Sequence, residues 1–277
     1  MSPEQILEIE MKLVLAALQL RYGYDFRHYA RSSLRRRLAA LGEAFSQGSI
    51  SGLIPRLIHD PLFLGEVLAS LSVPVTGWFR DPATLAVLRQ EVVPRLASYP
   101  RLSVWLAGCA SGEEAYSLAV LFLEEGLLAR TRIFATDIND RALAQAEEGI
   151  YPLGQIEAAE ADYQAAGGRG RFADHLHVAY GYARFQDSLR ARIIFAHHNL
   201  VSDGVFCEAH LILCRNVLIY FDHILQRRVL SLFEDALIRD GFLCLGEKES
   251  LRAIPETSRF QPFESQVRLF IKKERSR

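Results

Sequence analysis

The fold of this 277-residue chain is decided by the stretch LSVWLAGCASG, residues 102–112. Its first six residues form a short apolar run typical of a buried strand, and the small residues from Gly108 to Gly112 predict a loop. A helix is predicted next, from Glu113 to about Leu127, because apolar residues recur there at helical spacing. A strand, a small-residue loop and a helix in succession indicate one unit of a parallel α/β sheet.

The same pattern continues towards the C-terminus. A second strand is predicted at RIFATD, residues 132–137, followed by a helix from about Asp140. Further strands are predicted at 193–196, 211–214, 242–245 and 267–271, with a helix starting near Asp222. The stretch 151–192 is irregular, but residues 175–185 alternate between apolar and polar, which predicts a small antiparallel insertion on the edge of the main sheet.

The N-terminal part of the chain differs from the rest. Its first 70 residues or so show helical periodicity and contain no strand pattern. Ile6, Ile9, Leu13 and Leu20 fall on one side of a helical wheel, and Ser2-Pro3 supplies a helix cap and first turn. A second helix is predicted at 26–41, with one or two short ones at 53–71. We therefore predict a helical domain over 1–75 and an α/β domain over 76–277.

The overall composition excludes several classes of protein. About half of the residues are hydrophobic and the formal net charge is −1, which argues against bulk nucleic-acid binding. No apolar run reaches the roughly 20 residues that a transmembrane helix needs, and the N-terminus does not resemble a signal peptide. The four cysteines are scattered without a CxxC pair, which favours a reducing compartment. The sequence therefore predicts a cytoplasmic protein.

Acidic residues around the first loop point to the kind of ligand. Asp137 ends the second strand, at the carboxyl edge where open α/β sheets bind ligands, and can accept hydrogen bonds from both ribose hydroxyls of an adenosine. Alternatively, it caps the following helix, and the loop at 108–112 is a plain tight turn. For Glu113 and Glu114 the alternative is a purely structural role, because acids favour the first turn of any helix. As ligand contacts they would suit an ammonium or sulfonium group rather than a phosphate, which favours S-adenosylmethionine.

Six motifs, in order, make the resemblance to a known family specific. They are VTGWFRDP (75–82), WLAGCASGEEAYS (105–117), ATDIN (135–139), GIY (149–151), HNL (198–200) and CRNVLIYFD (214–222). With these motifs the sequence resembles the CheR-type chemotaxis protein methyltransferases over essentially its whole length. The resemblance implies an α/β fold with a class I (Rossmann-like) methyltransferase sheet, a small antiparallel β insertion at about 151–192 and an all-helical N-terminal domain. It also implies that S-adenosylmethionine methylates glutamate side chains of chemoreceptors, giving methyl esters and S-adenosylhomocysteine.

The resemblance also implies which residues bind the cofactor. The predicted contacts are Thr76, Arg80, Gly108, Glu113, Asp137, Ile138, Asn199, Leu200, Arg215 and Asn216. Arg80 is expected to pair with the methionine carboxylate, and Asp137 to accept hydrogen bonds from the ribose. Asn199 and Leu200 are expected to bracket the adenine. The two residues at 215–216 follow the fourth strand and are expected beneath the amino-acid part of the cofactor.

Two positions depart from the family pattern. Pro74 stands where the family often has asparagine, so a side-chain contact there is lost. The stretch GEKES, residues 246–250, replaces a histidine-containing version that is common among chemotaxis members. The second departure concerns the identity of the substrate more than the chemistry.

Methyl transfer to a carboxylate requires positioning rather than a general base, because glutamate is already ionised at neutral pH. We predict that Tyr220 and Arg80 hold the reacting groups. The alternative for Tyr220 is a buried tyrosine that starts the next helix. No nucleophile system is apparent, and His197-His198 lacks partner ligands at metal spacing, so no metal site is expected.

A cluster of arginines suggests where a partner binds. Residues 21–37 contain six arginines and one acid, and Arg27, Arg31 and Arg35 are spaced i, i+4, i+8, which would put them on one helical face beside Arg36. We predict that this face docks on a glutamate-rich helical region of a chemoreceptor or related signalling protein. Alternatives are a solvated face with acidic partners inside the molecule, or a site for RNA or an acidic second messenger.

The sequence is also compatible with other functions of the whole chain. The β insertion resembles the family's subdomain for binding a receptor tether, and a monomer is expected because nothing indicates a dimer seam. One rival is a methyltransferase that acts on nitrogen in RNA or another protein. The second rival is a non-catalytic module that binds S-adenosylmethionine or S-adenosylhomocysteine as an effector.

Overall fold

The computed structural model describes residues 1–72, 76–251, 259–264 and 266–274. The predicted lost contact at Pro74 lies outside these residues. Four helices form the N-terminal lobe: α1 (Pro3–Tyr22), α2 (Arg31–Phe45), α3 (Ile54–His59) and α4 (Phe63–Leu71). Helix α1 begins with a capping box, in which Ser2 and Gln5 bond each other's backbone amides, as the Ser2-Pro3 pair predicted. The lobe has its own apolar core, so the all-helical prediction for this part of the chain is confirmed.

Two details of the predicted helices are wrong. The second helix begins at Arg31 instead of residue 26, because Tyr29 pairs in an antiparallel β-bridge with Phe221 and cannot be helical. The face of α1 marked by Ile6, Ile9 and Leu13 is exposed. The opposite face is buried, through Met11, Val14, Leu15 and Leu18. The amphipathic period was right, but packing selected the other side of the helix.

The α/β part is built on a seven-stranded sheet. Its strands are β1 (Leu102–Ala107), β2 (Thr131–Asp137), β6 (Ile193–His197), β7 (Ala209–Cys214), β8 (Leu237–Leu245), β9 (Phe260–Glu264) and β10 (Leu269–Lys272). The order is β6-β2-β1-β7-β8-β10-β9, in which the first five strands run parallel, β10 pairs antiparallel with β8, and β9 pairs antiparallel with β10. The strand order reverses at β1, between β2 and β7. An open sheet of this kind has a crevice at its carboxyl edge, beside that switch point.

Helices cover both faces of this sheet. They are α5 (Pro82–Val87), α6 (Val93–Leu96), α7 (Glu113–Glu124), α8 (Asp140–Glu148) and α12 (His223–Ala236). Strand β1 is buried on both faces, which explains its near-continuous apolar sequence. The β9 strand was not predicted. Five of the other strands lie where the sequence predicted them or extend a few residues beyond, and β10 begins at Leu269, two residues later than predicted.

The predicted insertion forms a sheet of its own. It contains β3 (Ile150–Pro152), β4 (Leu176–Ala179) and β5 (Tyr182–Phe185), in the antiparallel order β3-β5-β4. Short helices α9 (Leu153–Ala158), α10 (Glu160–Ala165) and α11 (Asp187–Arg190) complete it. The antiparallel insertion is therefore confirmed. Its expected place on the edge of the main sheet is wrong, because no strand of the seven-stranded sheet pairs with it among the described residues.

The helical lobe packs against the carboxyl edge of the main sheet. Glu66 on α4 forms a bidentate ion pair with Arg141 on α8, with distances of 2.6 and 2.8 Å. The hydroxyl of Ser72 accepts a hydrogen bond from Asn139 at 3.0 Å. These contacts place the end of α4 over the loop that follows β2. In the part of the chain that the structure describes, no helix has the length and apolar character needed to cross a membrane.

Candidate cofactor site

One pocket lies at the carboxyl edge of the sheet, between the helical lobe and the loops that follow the parallel strands. It is lined by Tyr29, Ser33, Leu34, Leu71, Ser72, Thr76, Arg80, Gly108, Ala110, Glu114, Asp137, Ile138, Asn139, Ala142, His198, Asn199, Leu200, Arg215, Asn216, Val217, Tyr220 and Phe221. Nine of the ten cofactor contacts that the sequence predicted belong to this set, as does Tyr220. The exception is Glu113. The fold thus brings together predicted residues from Thr76 to Tyr220, which are 144 positions apart, because parallel strands end at one edge.

The pocket wall after β2 is held by the Asp137 carboxylate. One of its oxygens accepts a hydrogen bond from the backbone of Ala110 and the other from the backbone of Asn139, both at 2.9 Å. Burial raises the pKa of this carboxyl, while the backbone donors oppose the shift. A carboxylate oxygen has two lone pairs, so each oxygen keeps one for a ligand. Asp137 can therefore bind a pair of ligand hydroxyls, and it does not cap α8, because Asn139 has that role.

The small-residue loop after β1 is tight for a steric reason. Gly108 has a φ of +84°, and a Cβ atom there would come within 2.4 Å of the Val217 side chain. Only glycine allows the loops after β1 and β7 to approach this closely. The glycine therefore serves the packing of two loops that line the pocket, in addition to any contact with a ligand.

Arg80 enters the pocket from a strained turn. Its neighbours Phe79 and Asp81 have φ values of 45° and 50°, in the left-handed region that non-glycine residues avoid. The backbone amide of Phe79 donates to the hydroxyl of Ser117 at 3.0 Å, and the Phe79 ring is buried among aromatic side chains. The surrounding structure thus imposes an unfavourable backbone that places Arg80 among the pocket residues.

Arg215 acts as a buried brace for this turn. Its guanidinium donates to Glu114 at 2.5 Å, to the Asp81 carboxylate at 2.7 Å and to the Arg80 backbone carbonyl at 2.6 Å. Burial opposes the charge on Arg215, but the two carboxylates outweigh it and raise its pKa. Both terminal nitrogens of Arg215 are therefore engaged by the protein. Its predicted place beneath the cofactor is consistent with a role in positioning Arg80 and Glu114.

Of the two acids that open α7, only the second lines the pocket. Glu114 does so, whereas Glu113 turns away and accepts hydrogen bonds from the Ser111 hydroxyl at 2.8 and 3.0 Å. Burial raises the pKa of Glu113. The structure therefore makes Glu114 the better acid for a cationic ligand group, where the sequence analysis had assigned that contact to Glu113.

A carboxylate that sequence analysis missed holds the loop after β7. Glu249 is buried and accepts hydrogen bonds from the backbone amides of Asn216, Val217, Leu218 and Gly246, at 2.6 to 3.0 Å. Burial raises the pKa of this carboxyl, against the lowering effect of those donors. Asn216 itself has a φ of 61°. Glu249 thus stabilises the strained loop that carries Asn216, a role with no local sequence signal because donor and acceptor lie about 30 positions apart.

The far end of the pocket follows β6. The Asn199 side-chain oxygen accepts from the backbone of Val201 at 3.0 Å, and its backbone amide donates to Asp203 at 2.8 Å. Leu200 is buried beside it and supplies an apolar wall. His198, also missed as a site residue, packs edge-on against Trp105 with ring centroids 5.3 Å apart. This end combines an apolar surface with a fixed amide, which suits a flat heteroaromatic ring.

The complete set of residues fits S-adenosylmethionine. The cofactor carries an ammonium, a sulfonium, a carboxylate, a ribose diol and an adenine ring. The pocket offers Glu114, Arg80 and Asp137, together with the apolar surfaces of Ile138 and Leu200. Within the described ranges, three of the four buried side-chain atoms without a hydrogen-bond partner belong to pocket residues: His198 Nδ1, Arg215 Nε and Asn216 Oδ1. Buried polar atoms that lack a hydrogen-bond partner and cluster at one place are typical of a binding site.

The arginines predicted to face a partner are only partly on one surface. Arg31, Arg35 and Arg36 line a groove between α1 and α2. Arg27 precedes α2 and pairs with Asp25 at 2.7 Å, so its predicted place on the same helical face is wrong. Arg31 pairs with Glu8, and Arg35 lies 3.5 Å from Glu4. The alternative of acidic partners inside the molecule therefore holds for three of the four arginines, although exposed pairs of this kind contribute only about 0–1 kcal/mol.

Comparisons with known proteins agree with this geometry. Residues 74–268 match the family model of the CheR methyltransferase SAM-binding domain, and residues 9–72 match that of its all-alpha domain. The "Putative methyltransferase Cher3" of Pseudomonas putida is 44% identical over 272 residues, covering 98% of this chain and 100% of the relative. A chemotaxis protein methyltransferase of Listeria innocua is 30% identical over 83% of this chain and 85% of its own length. Chemotaxis protein methyltransferase 1 of Pseudomonas aeruginosa is 32% identical, with coverages of 79% and 82%.

The chain therefore belongs to the CheR methyltransferase family. It is a methyltransferase whose cofactor is S-adenosylmethionine, as the sequence predicted. In the described part of the chain, no group of three or more His, Cys, Asp or Glu residues could hold a metal ion.

Proposed function

We propose that this protein transfers a methyl group to glutamate side chains of a chemoreceptor or a related signalling protein, forming glutamyl methyl esters. The observation that most supports the proposal is the pocket itself, where Glu114, Arg80 and Asp137 face one cavity beside an apolar wall. The relatives named chemotaxis protein methyltransferases support the choice of substrate.

The chemistry requires little acid–base assistance from the protein. S-adenosylmethionine supplies an electrophilic methyl group, and the acceptor carboxylate is already ionised at neutral pH. The protein must remove water from that carboxylate and align it, which can contribute about 7–11 kcal/mol to catalysis in favourable cases. Ester formation therefore needs no general base, whereas methylation of a protonated amine would first require one to remove a proton.

Two side chains are proposed to position the reacting groups. Arg80 would pair with the cofactor carboxylate, on a turn that Arg215 and Ser117 hold in place. Tyr220 lines the pocket at the end of a short helix, Leu218–Tyr220, and its backbone carbonyl is fixed by the Ala30 amide at 2.7 Å. We propose that the Tyr220 hydroxyl holds the acceptor carboxylate without neutralising it.

The proposed test is a methylation assay with S-adenosylmethionine labelled in its methyl group and a purified chemoreceptor cytoplasmic fragment. We expect label on the receptor fragment and release of labelled methanol on treatment with alkali, because methyl esters hydrolyse and methylated amines do not. Alkali-stable label would contradict the proposed substrate group.

Calorimetric titration with S-adenosylhomocysteine tests the cofactor site independently of the methyl acceptor. The wild-type protein should bind it, and Asp137→Ala should bind it at least tenfold more weakly, because the buried ribose contact is lost. Unchanged affinity in the variant would remove Asp137 from the site. Binding without methylation of any receptor fragment would instead favour a module that uses the cofactor as an effector.

A further inference from the structure

Tyr29 brings the helical lobe into the wall of the cofactor pocket. It lies on the segment between α1 and α2 and lines the same cavity as Asp137. Its ring packs against Phe26 of the lobe at 4.7 Å between centroids and against Phe221 of the α/β domain at 4.9 Å. Tyr29 also packs against the apolar cores of both parts of the molecule. It therefore occupies the junction of the two, beside the proposed ribose-binding carboxylate.

The position of Tyr29 is fixed by hydrogen bonds on both sides. The backbone amide of Ala30 donates to the carbonyl of Tyr220 at 2.7 Å, and the amide of Asp222 donates to the carbonyl of His28 at 2.8 Å. The His28 imidazole nitrogen Nδ1 lies 2.8 Å from an Asp222 carboxylate oxygen. This short antiparallel pairing joins the lobe to the loop that carries Tyr220. A side chain held in this way is preorganised for contact with a ligand.

The hydroxyl of Tyr29 differs from those of four other buried or part-buried tyrosines. The hydroxyls of Tyr22, Tyr116, Tyr151 and Tyr163 all donate hydrogen bonds to protein acceptors. The Tyr29 hydroxyl has no hydrogen-bond partner among the residues that the structure describes. Burial, and then the nearby charge of Asp137, raise the pKa of Tyr29, so the phenol is neutral and can donate. A fixed donor in a ligand pocket without a protein partner is a group available to the ligand.

We propose that Tyr29 is a cofactor-contacting residue, whose hydroxyl hydrogen-bonds S-adenosylmethionine on the Asp137 side of the pocket. The inference rests on the proposed placement of the cofactor in this pocket. It assigns the helical lobe a second role besides partner docking, because the lobe then supplies part of the cofactor site. Occupation of the pocket would tie the lobe to the α/β domain through one side chain.

The test compares Tyr29→Phe with Tyr22→Phe by calorimetric titration of S-adenosylhomocysteine. Both variants lose one hydroxyl from the same lobe, but the Tyr22 hydroxyl donates to the Leu57 carbonyl, away from the pocket. One hydrogen bond is worth about 0.5–1.5 kcal/mol, so Tyr29→Phe should raise the Kd about threefold to tenfold. Tyr22→Phe should leave the Kd unchanged, and thermal unfolding should confirm that both variants are folded.

The outcomes separate this inference from the proposed site. If Asp137→Ala abolishes binding while Tyr29→Phe binds like the wild type, the site stands and the Tyr29 contact is overturned. A lowered kcat in Tyr29→Phe with an unchanged Kd would also overturn it, since the hydroxyl would then serve the acceptor. If Asp137→Ala binds normally, the proposed site itself fails, whatever Tyr29→Phe does.

Discussion

Two carboxylates organise the site at the scale of single residues. Asp137 and Glu249 each accept backbone amide donors at the ends of strands; Glu249 is buried, whereas Asp137 is half-buried in the pocket wall. Asp137 lines the pocket and accepts one backbone amide on each oxygen, whereas Glu249 accepts hydrogen bonds from four amides of the protein. The first is therefore expected to act on the ligand, and the second on the loop that contacts it.

Cofactor affinity should depend on pH through Asp137. Burial raises the pKa of its carboxyl above the ordinary value for aspartate, and only the ionised form accepts from both ribose hydroxyls. Affinity should thus be constant near neutral pH and fall as pH decreases through the raised pKa. The measurement is the Kd of S-adenosylhomocysteine from pH 8 to pH 5.

The same titration of Asp137→Asn serves as the control. This variant should bind weakly at every pH, without the acid-side decrease of the wild type. A pH dependence that persists in it would belong to a neighbouring group, such as His197, whose charge also affects Asp137.

Glu249→Gln should destabilise the protein and weaken cofactor binding. Glutamine has one acceptor oxygen for four amides, and its NH2 group would face other donors, so a loss of about 2–3 kcal/mol is expected. The measurement is urea unfolding, combined with the Kd of S-adenosylhomocysteine. Glu247→Gln, at an exposed position two residues earlier, should change stability by no more than about 0.5 kcal/mol. Equal effects of the two substitutions would disprove the role of the buried carboxylate.

At the scale of elements, helices α1 and α2 form a charged groove. The basic side chains on α2 face acids on α1, so the net charge of this surface is lower than the arginines alone imply. Exposed ion pairs are weak and exchange readily, so Arg31 and Arg35 remain available to a glutamate-rich partner. Electrostatic docking of this kind mainly increases the rate of association.

Arg31→Glu combined with Arg35→Glu should weaken receptor methylation and leave cofactor affinity unchanged. Reversal of two charges turns attraction for an acidic partner into repulsion, which should raise the KM for the receptor fragment about tenfold or more. The control is Glu4→Gln combined with Glu8→Gln, which breaks the same pairs but keeps the arginines. It should methylate as well as the wild type. Normal methylation by the charge-reversed variant would exclude this groove as the docking face.

At the scale of the whole molecule, a buried ionic network joins the β insertion to the main domain. Glu124 on α7 lies 2.6 Å from Arg89 and accepts a hydrogen bond from the backbone of Arg169 and one from Tyr163 of α10. Burial alone would raise the pKa of Glu124, but its donors, including His175, hold that pKa at about 2. The folded state therefore depends on this carboxylate being ionised.

Acid should weaken the fold through Glu124. A folded-state pKa below the unfolded value contributes stability above about pH 4.5, and that contribution is lost as pH falls towards 2. Glu124→Gln should lower the free energy of unfolding at pH 7 by about 3 kcal/mol and flatten its decrease between pH 4.5 and 2.5. Urea unfolding at several pH values measures both effects. If the free energy of unfolding of the variant fell as steeply in acid as that of the wild type, other carboxyls would be responsible for the pH dependence.

Much of the site was predictable because its residues follow buried strands directly. The apolar run at β1, the loop at 108–112 and Asp137 after β2 are local patterns, and parallel strands place their carboxyl ends together. The antiparallel insertion was predictable from alternation alone. The sequence could not predict that Glu113 turns away from the pocket and Glu114 towards it. Both acids begin the same helix, and only packing decides which of them faces the pocket.

The sequence by itself determined the family, the helical lobe, the strand–loop–helix units and the cofactor, since these depend on short-range periodicity and contiguous motifs. Tertiary structure alone decided which face of α1 is buried, where α2 begins and that Glu249 braces the loop after β7. It also decided that Tyr29 and Tyr220 share one pocket. The physical reason is separation along the chain: each of these outcomes depends on contacts between residues tens to nearly 200 positions apart, which local propensity does not encode.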